Sequence, residues 1–104
     1  MEGGVMKRLH TILAGSTDVC MITGSYDVER HHVFHATHRQ RMLCEKYGFI
    51  APLRRDLHQN GPDSVHRHPN GPFDRTLKQM CQFYYEEHIG SRETFIREFG
   101  KNYL

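Results

Sequence analysis

From Phe73 to His88, the apolar and ring-bearing residues Phe73, Leu77, Met80, Cys81, Tyr84 and His88 return at intervals of three and four. That spacing predicts an α-helix from about Asp74 to His88 with one apolar face. Gly90-Ser91 interrupts it, and Ser91 is suited to cap a second helix with Glu93 in its first turn and Phe95, Ile96 and Phe99 facing inward. The pair is scaffold, with Cys81 a small buried hydrophobe on its stripe.

The 104 residues suffice for one domain, near the size at which a core alone gives modest stability and a metal or partner helps to hold the fold. Within it, 1–16 reads as an N-terminal segment, 17–70 as the functional core and 71–104 as the C-terminal helices. Val19 to Thr23 and Val28 to Phe34 read as strands of a hairpin turning at Gly24-Ser-Tyr-Asp27. Thr37 is placed to cap a helix through about Lys46 that Tyr47-Gly48 ends. Phe49 to Leu53, broken by Pro52, reads as an edge strand or extended segment, leading into a helical turn over Arg54 to Gln59. Asn60 to Pro72 is turn-rich, and Asn-Gly-Pro occurs in it twice as reused turn chemistry. The expected class is α+β: a β-hairpin with helices, followed by a helical pair.

No stretch approaches the roughly 20 apolar residues of a membrane span, and Met1 to Ala14 has no sustained apolar region or cleavage site, so the expectation is a cytoplasmic protein without a membrane partner. The three cysteines, Cys20, Cys44 and Cys81, are odd in number and widely spaced. They do not suit a secreted disulfide framework, and without a CxxC pair they exclude a four-cysteine zinc ribbon. The formal charge of +2 hides a local pattern. Arg39, Arg41, Lys46, Arg54, Arg55 and Arg67 cluster among the histidines, while Glu86, Glu87, Glu93 and Glu98 gather near the C-terminus. The middle of the chain is suited to face a polyanion.

Nine histidines carry the chemistry. His31 and His32 are adjacent at the end of a predicted strand, so their rings point to opposite faces, leaving one to bind a metal and the other to take a proton. His66 follows Val65 after a loop able to fold it back beside His58, and three imidazoles meeting form a divalent-metal site. His68 is the reserve ligand. His10, His35, His38 and His88 read as surface or partly buried residues.

The runs Cys20-Met-Ile-Thr-Gly24, Glu29-Arg-His-His-Val-Phe34, Arg41 with Glu45-Lys-Tyr-Gly48, Leu57-His58, Gly61-Pro62 with Val65-His66-Arg67, Leu77-Lys78 with Gln82, and Phe99-Gly-Lys-Asn-Tyr-Leu104 occur in that order. This series resembles the small HNH-type proteins of bacteriophages and prophages. The resemblance implies a ββα-metal (His-Me finger) core in which a hairpin and a helix clamp one divalent cation against a scissile phosphate. It implies His31 and His58 as metal ligands and His32 as general base. Where the last ligand of the pattern would follow, position 62 is proline, which leaves His66 as the nearest candidate. The pattern's central Asn falls at Phe49, which leaves a backbone carbonyl to orient His32.

On that resemblance the expected activity is metal-dependent endonucleolytic hydrolysis of nucleic acid, DNA foremost. One Zn, Ni, Mg or Mn ion is the cofactor, Arg39, Arg41, Arg54, Arg55 and Arg67 contact phosphates, and activity falls below about pH 6 as imidazoles protonate. Cutting both strands would call for a homodimer. Two other readings compete: a silent HNH-like module that binds DNA or a host protein, such as a counter-defence or recombination factor, and a structural zinc domain closed by His31, His58, His66 or Cys81.

Overall fold

The computed structural model describes residues 9–104, with Asn60 described by its backbone only. The first part of the predicted N-terminal segment, 1–8, lies outside the described residues. The order of elements is β1 (Val28–His32), α1 (His38–Tyr47), β2 (Ile50–Arg54), a π-helical turn (Asp56–Asn60), α2 (Pro72–His88) and α3 (Arg92–Phe99). No helix among the described residues is long and apolar enough to cross a membrane.

Local chemistry sets the helix ends. The Thr37 side chain accepts a hydrogen bond from the Gln40 amide, 3.0 Å, and begins α1. Gly48, in the left-handed region at φ 80°, ends it by donating its amide to the Cys44 carbonyl. A Cβ at position 48 would also stand 2.8 Å from the His10 ring, so a side chain there would strain the backbone and displace that ring. Ser91 caps α3 as its sequence predicts, accepting from the Thr94 amide.

The strand pairing departs from the predicted hairpin. β1 pairs antiparallel with β2, from Val28 opposite Arg54 to His32 opposite Ile50, and the chain passes through α1 between them. Val19 to Thr23 forms no strand; it curls into a turn closed by Cys20–Ser25 and Gly24–Cys20 backbone bonds. Burial explains the choice. Phe49, Ile50, Ala51 and Leu53 are completely buried, whereas Ile22 is 55% exposed, so pairing with β2 removes far more apolar surface from water. The 19–25 turn meets β2 through one bond, Met21 amide to Pro52 carbonyl, on a strand where Pro52 has no N–H to give. Beyond β1, Phe34 leaves the ladder and exchanges hydrogen bonds with the Cys44 thiol.

The core is an aromatic cluster between the sheet and the C-terminal helices. Phe34, Phe49, Phe95 and Phe99 are buried, and the Phe34–Phe99 and Phe95–Phe99 ring centroids lie 4.5 and 5.0 Å apart. Each such pair adds about 0.5–1.5 kcal/mol to its area burial. The buried face of α2 is rotated relative to the predicted stripe: Asp74, Leu77, Lys78, Cys81, Gln82 and Tyr85 are inside, while Met80 and His88 are exposed. Ile96 of α3, expected inward, is also exposed. Polar pairing causes the rotation. Lys78 Nζ lies 2.9 Å from Asp74, and Gln82 holds the C-terminal segment by accepting from the Tyr103 amide and donating to Asn102 Oδ1, each at 2.7 Å. Satisfied in this way, polar groups occupy positions that hydrophobicity alone assigns elsewhere.

Phe99→Ala is expected to lower unfolding free energy by about 3–5 kcal/mol. Phe83→Ala, at a side chain 59% exposed, should stay within about 0.5 kcal/mol. Urea denaturation of the two variants checks this; equal losses would contradict the aromatic core described above.

Candidate metal centre

Three segments bring three imidazoles together. His31 sits on β1 opposite Ala51, and β2 runs directly into the π turn that carries His58. The wide turn is closed by the Gly61 amide donating to the Asp56 carbonyl, 2.8 Å, and a Cβ on Gly61 would lie 2.3 Å from that oxygen. After it the chain doubles back: Val65 donates to the Leu57 carbonyl and His66 to the His58 carbonyl, at 2.9 and 3.3 Å. Those two bonds, with Val65 buried beneath them, set His66 beside His58.

The ligand nitrogens of His31, His58 and His66 all lie within 4.8 Å of one another. His58 Nε2 and His66 Nε2 face each other at 3.0 Å. His31 Nε2 is buried without a hydrogen-bond partner, an arrangement that costs about 1–3 kcal/mol if nothing fills it. Zn–N bonds of about 2.0–2.1 Å in tetrahedral geometry put ligand nitrogens about 3.3 Å apart, within the range these three present. The set could therefore hold a metal ion.

The surroundings prepare the ligands. Glu29 Oε1 lies 2.7 Å from His58 Nδ1, which fixes the proton there and turns the Nε2 lone pair toward the site. Glu29 is steadied by Gln59 Nε2 at 3.0 Å and Arg55 Nε at 3.2 Å. The hydrogen bond from His58, aided by the charge of Arg55, holds Glu29 below its ordinary value. Burial, then the neighbouring His58, His35 and His66, pushes His31 down from 6.5 to about 2. Burial first, then His58, also lowers His66. His31 and His66 are thus biased toward the uncharged, ligating form.

His32 points to the other face of β1, where its Nε2 lies 3.0 Å from Glu45 Oε2 on α1. A carboxylate, rather than the expected backbone carbonyl, is its partner. A recess of about 260 Å³ is lined by Arg30, His31, His32, His35, Arg41, His58 and His66. The structure thus brings together four predicted site histidines and Arg41. Arg54 is instead bound to Asp56 through Nε and Nη2, at 2.6 and 2.9 Å, and Arg55 to Glu29. Arg39 and Arg67 are exposed and do not line the recess. The reserve ligand His68 bonds the Pro62 carbonyl, and Cys81 lies in the core, so neither joins the cluster.

Four recess or partner residues escaped the sequence reading: Glu29, Arg30, His35 and Glu45. His35 carried a usable signal, because in extended backbone residues 31, 33 and 35 share a face. Glu45 carried none, since its meeting with His32 depends on how α1 folds back over β1.

Replacing Glu29 with Gln should weaken metal binding about 10–100-fold, read by competition with a chelating dye. The metal-free protein should also lose stability with acid. A histidine held low when folded stabilises fully above 6.5 and progressively less as pH falls through that value. His31 alone predicts a loss of about 1.6 kcal/mol between pH 6.5 and 5 in urea titrations with chelator present, before the carboxylates titrate. Constant stability over that interval would contradict a neutral buried His31. Compared with protein-family models, curated proteins and solved structures, the chain matches none.

Proposed function

We propose that this chain is a metal-dependent endonuclease of the HNH type, of the phage and prophage kind, which hydrolyses phosphodiester bonds of nucleic acid, with DNA as substrate. The observation that carries this reading is the convergence in one recess of three ligand imidazoles, a carboxylate-held histidine and two arginines. Under it, β1, β2 and the π turn bearing His58 correspond to the two strands and helix of a ββα-metal core.

His31, His58 and His66 would hold the ion, and Glu29 would orient His58. When bound, the ion supplies Lewis-acid stabilisation of the negative charge that builds on the phosphate. With Nε2–H donated to Glu45, neutral His32 keeps its lone pair on Nδ1, and that atom takes the proton from the attacking water. Glu45 in turn stabilises the imidazolium that results. Arg41 and Arg30, the latter steered by Asp18 at 2.9 Å, bind phosphate oxygens without reading bases.

Nicking of supercoiled plasmid tests this, using protein stripped with EDTA and supplied singly with Mg, Mn, Ni or Zn. Wild type should nick only with metal, and His32→Ala should lose about 10²- to 10⁴-fold while still binding the ion. Cleavage surviving in His32→Ala would remove its role as base. Absence of cleavage with every metal, alongside tight ion binding, would favour the silent HNH-like module that binds DNA or a host protein.

A further inference from the structure

We propose that His35 is a fourth metal ligand, which completes a four-imidazole coordination sphere with His31, His58 and His66. This rests on the three-histidine site being a metal site and adds its coordination number and the class of ion it selects.

Ring spacing carries the argument. With Zn–N bonds of about 2.0–2.1 Å, each imidazole centroid stands roughly 3.2 Å from the ion, so tetrahedral neighbours have centroids about 5 Å apart. Within the trio the centroids are 4.9, 5.2 and 4.6 Å apart. His35 stands 5.4 Å from His31 and 5.1 Å from His66, near that spacing for two of the three rings, and it lines the same recess. Its nitrogens lie outside the tight three-residue group, so the ring must turn inward to ligate. It is free to do so, because the side chain is exposed. Its backbone is anchored between the buried Phe34 and a hydrogen bond from Arg41 Nη1 to its carbonyl, 3.2 Å.

The other nearby histidines are engaged elsewhere: His32 on Glu45 and His68 on the Pro62 carbonyl. Four neutral nitrogens favour Zn, Co, Ni or Cu over Mg or Mn. His35 is exposed and lies outside the tight trio, so its departure would open a coordination position to solvent or to a phosphate oxygen.

Cobalt(II) titration of the metal-free protein tests this, because visible ligand-field absorption is strong for four-coordinate cobalt and weak for five or six ligands. Wild type should give the intense band. In His35→Ala water takes the fourth position, so the band should shift in wavelength and the dissociation constant should rise more than about tenfold, at least the low end of what losing an outer-shell partner costs. His35→Cys should restore tight binding and add thiolate-to-cobalt charge transfer in the ultraviolet, and His38→Ala on α1 should match wild type. The same band position and the same dissociation constant in wild type and His35→Ala overturn the proposal and leave the three-histidine site standing. A wild type that binds no cobalt overturns both.

Discussion

The antiparallel pairing of β1 with β2 is the constraint on which the rest depends. β2 is completely buried from Ile50 to Leu53, so its place is fixed by the aromatic core behind it, and β1 takes its register from β2. Because side chains alternate along a strand, a slip of one residue would send His31 to the face now held by His32. The register therefore separates the two adjacent histidines into a buried one among other imidazoles and a half-buried one against a carboxylate. The same strand delivers His58, because the π turn begins two residues after β2 ends.

The site works against the stability of the metal-free protein. It gathers imidazoles around a buried nitrogen with no partner, in surroundings that disfavour any charge on His31. A protein selected for packing alone would fill this place with aliphatic side chains. An ion bound there would satisfy the nitrogen, and its binding energy would add to folding stability. The hydrogen bonds that Glu29 accepts from Gln59, Arg55 and His58 extend the order one layer outward and give the His58 ring a fixed orientation.

The helices bear on the site indirectly. α1 contributes Glu45 to His32 and Arg41 to the recess, so its capping by Thr37 and Gly48 positions chemistry as well as backbone. α2 and α3 close the core behind β2, with Tyr47 of α1 and Tyr85 of α2 both donating to Glu98 of α3, at 2.9 and 2.8 Å. The tyrosine hydroxyls are pushed upward by burial and by that carboxylate, so they stay protonated donors.

Much of this was legible in the sequence. The ends of α1 and α3 followed from Thr37, Gly48 and Ser91, and the meeting of His31, His58 and His66 followed from strand position and a returning loop. These are signals that act over a few residues, through capping hydrogen bonds, allowed φ and side-chain periodicity. Three things were decided by tertiary structure alone: the choice of Ile50–Arg54 over Val19–Thr23 as partner of β1, the rotation of α2 that buries Asp74, Lys78 and Gln82, and the pairing of His32 with Glu45. Each depends on which surfaces compete for burial and which polar groups find partners across the fold, and neither quantity exists until distant segments meet.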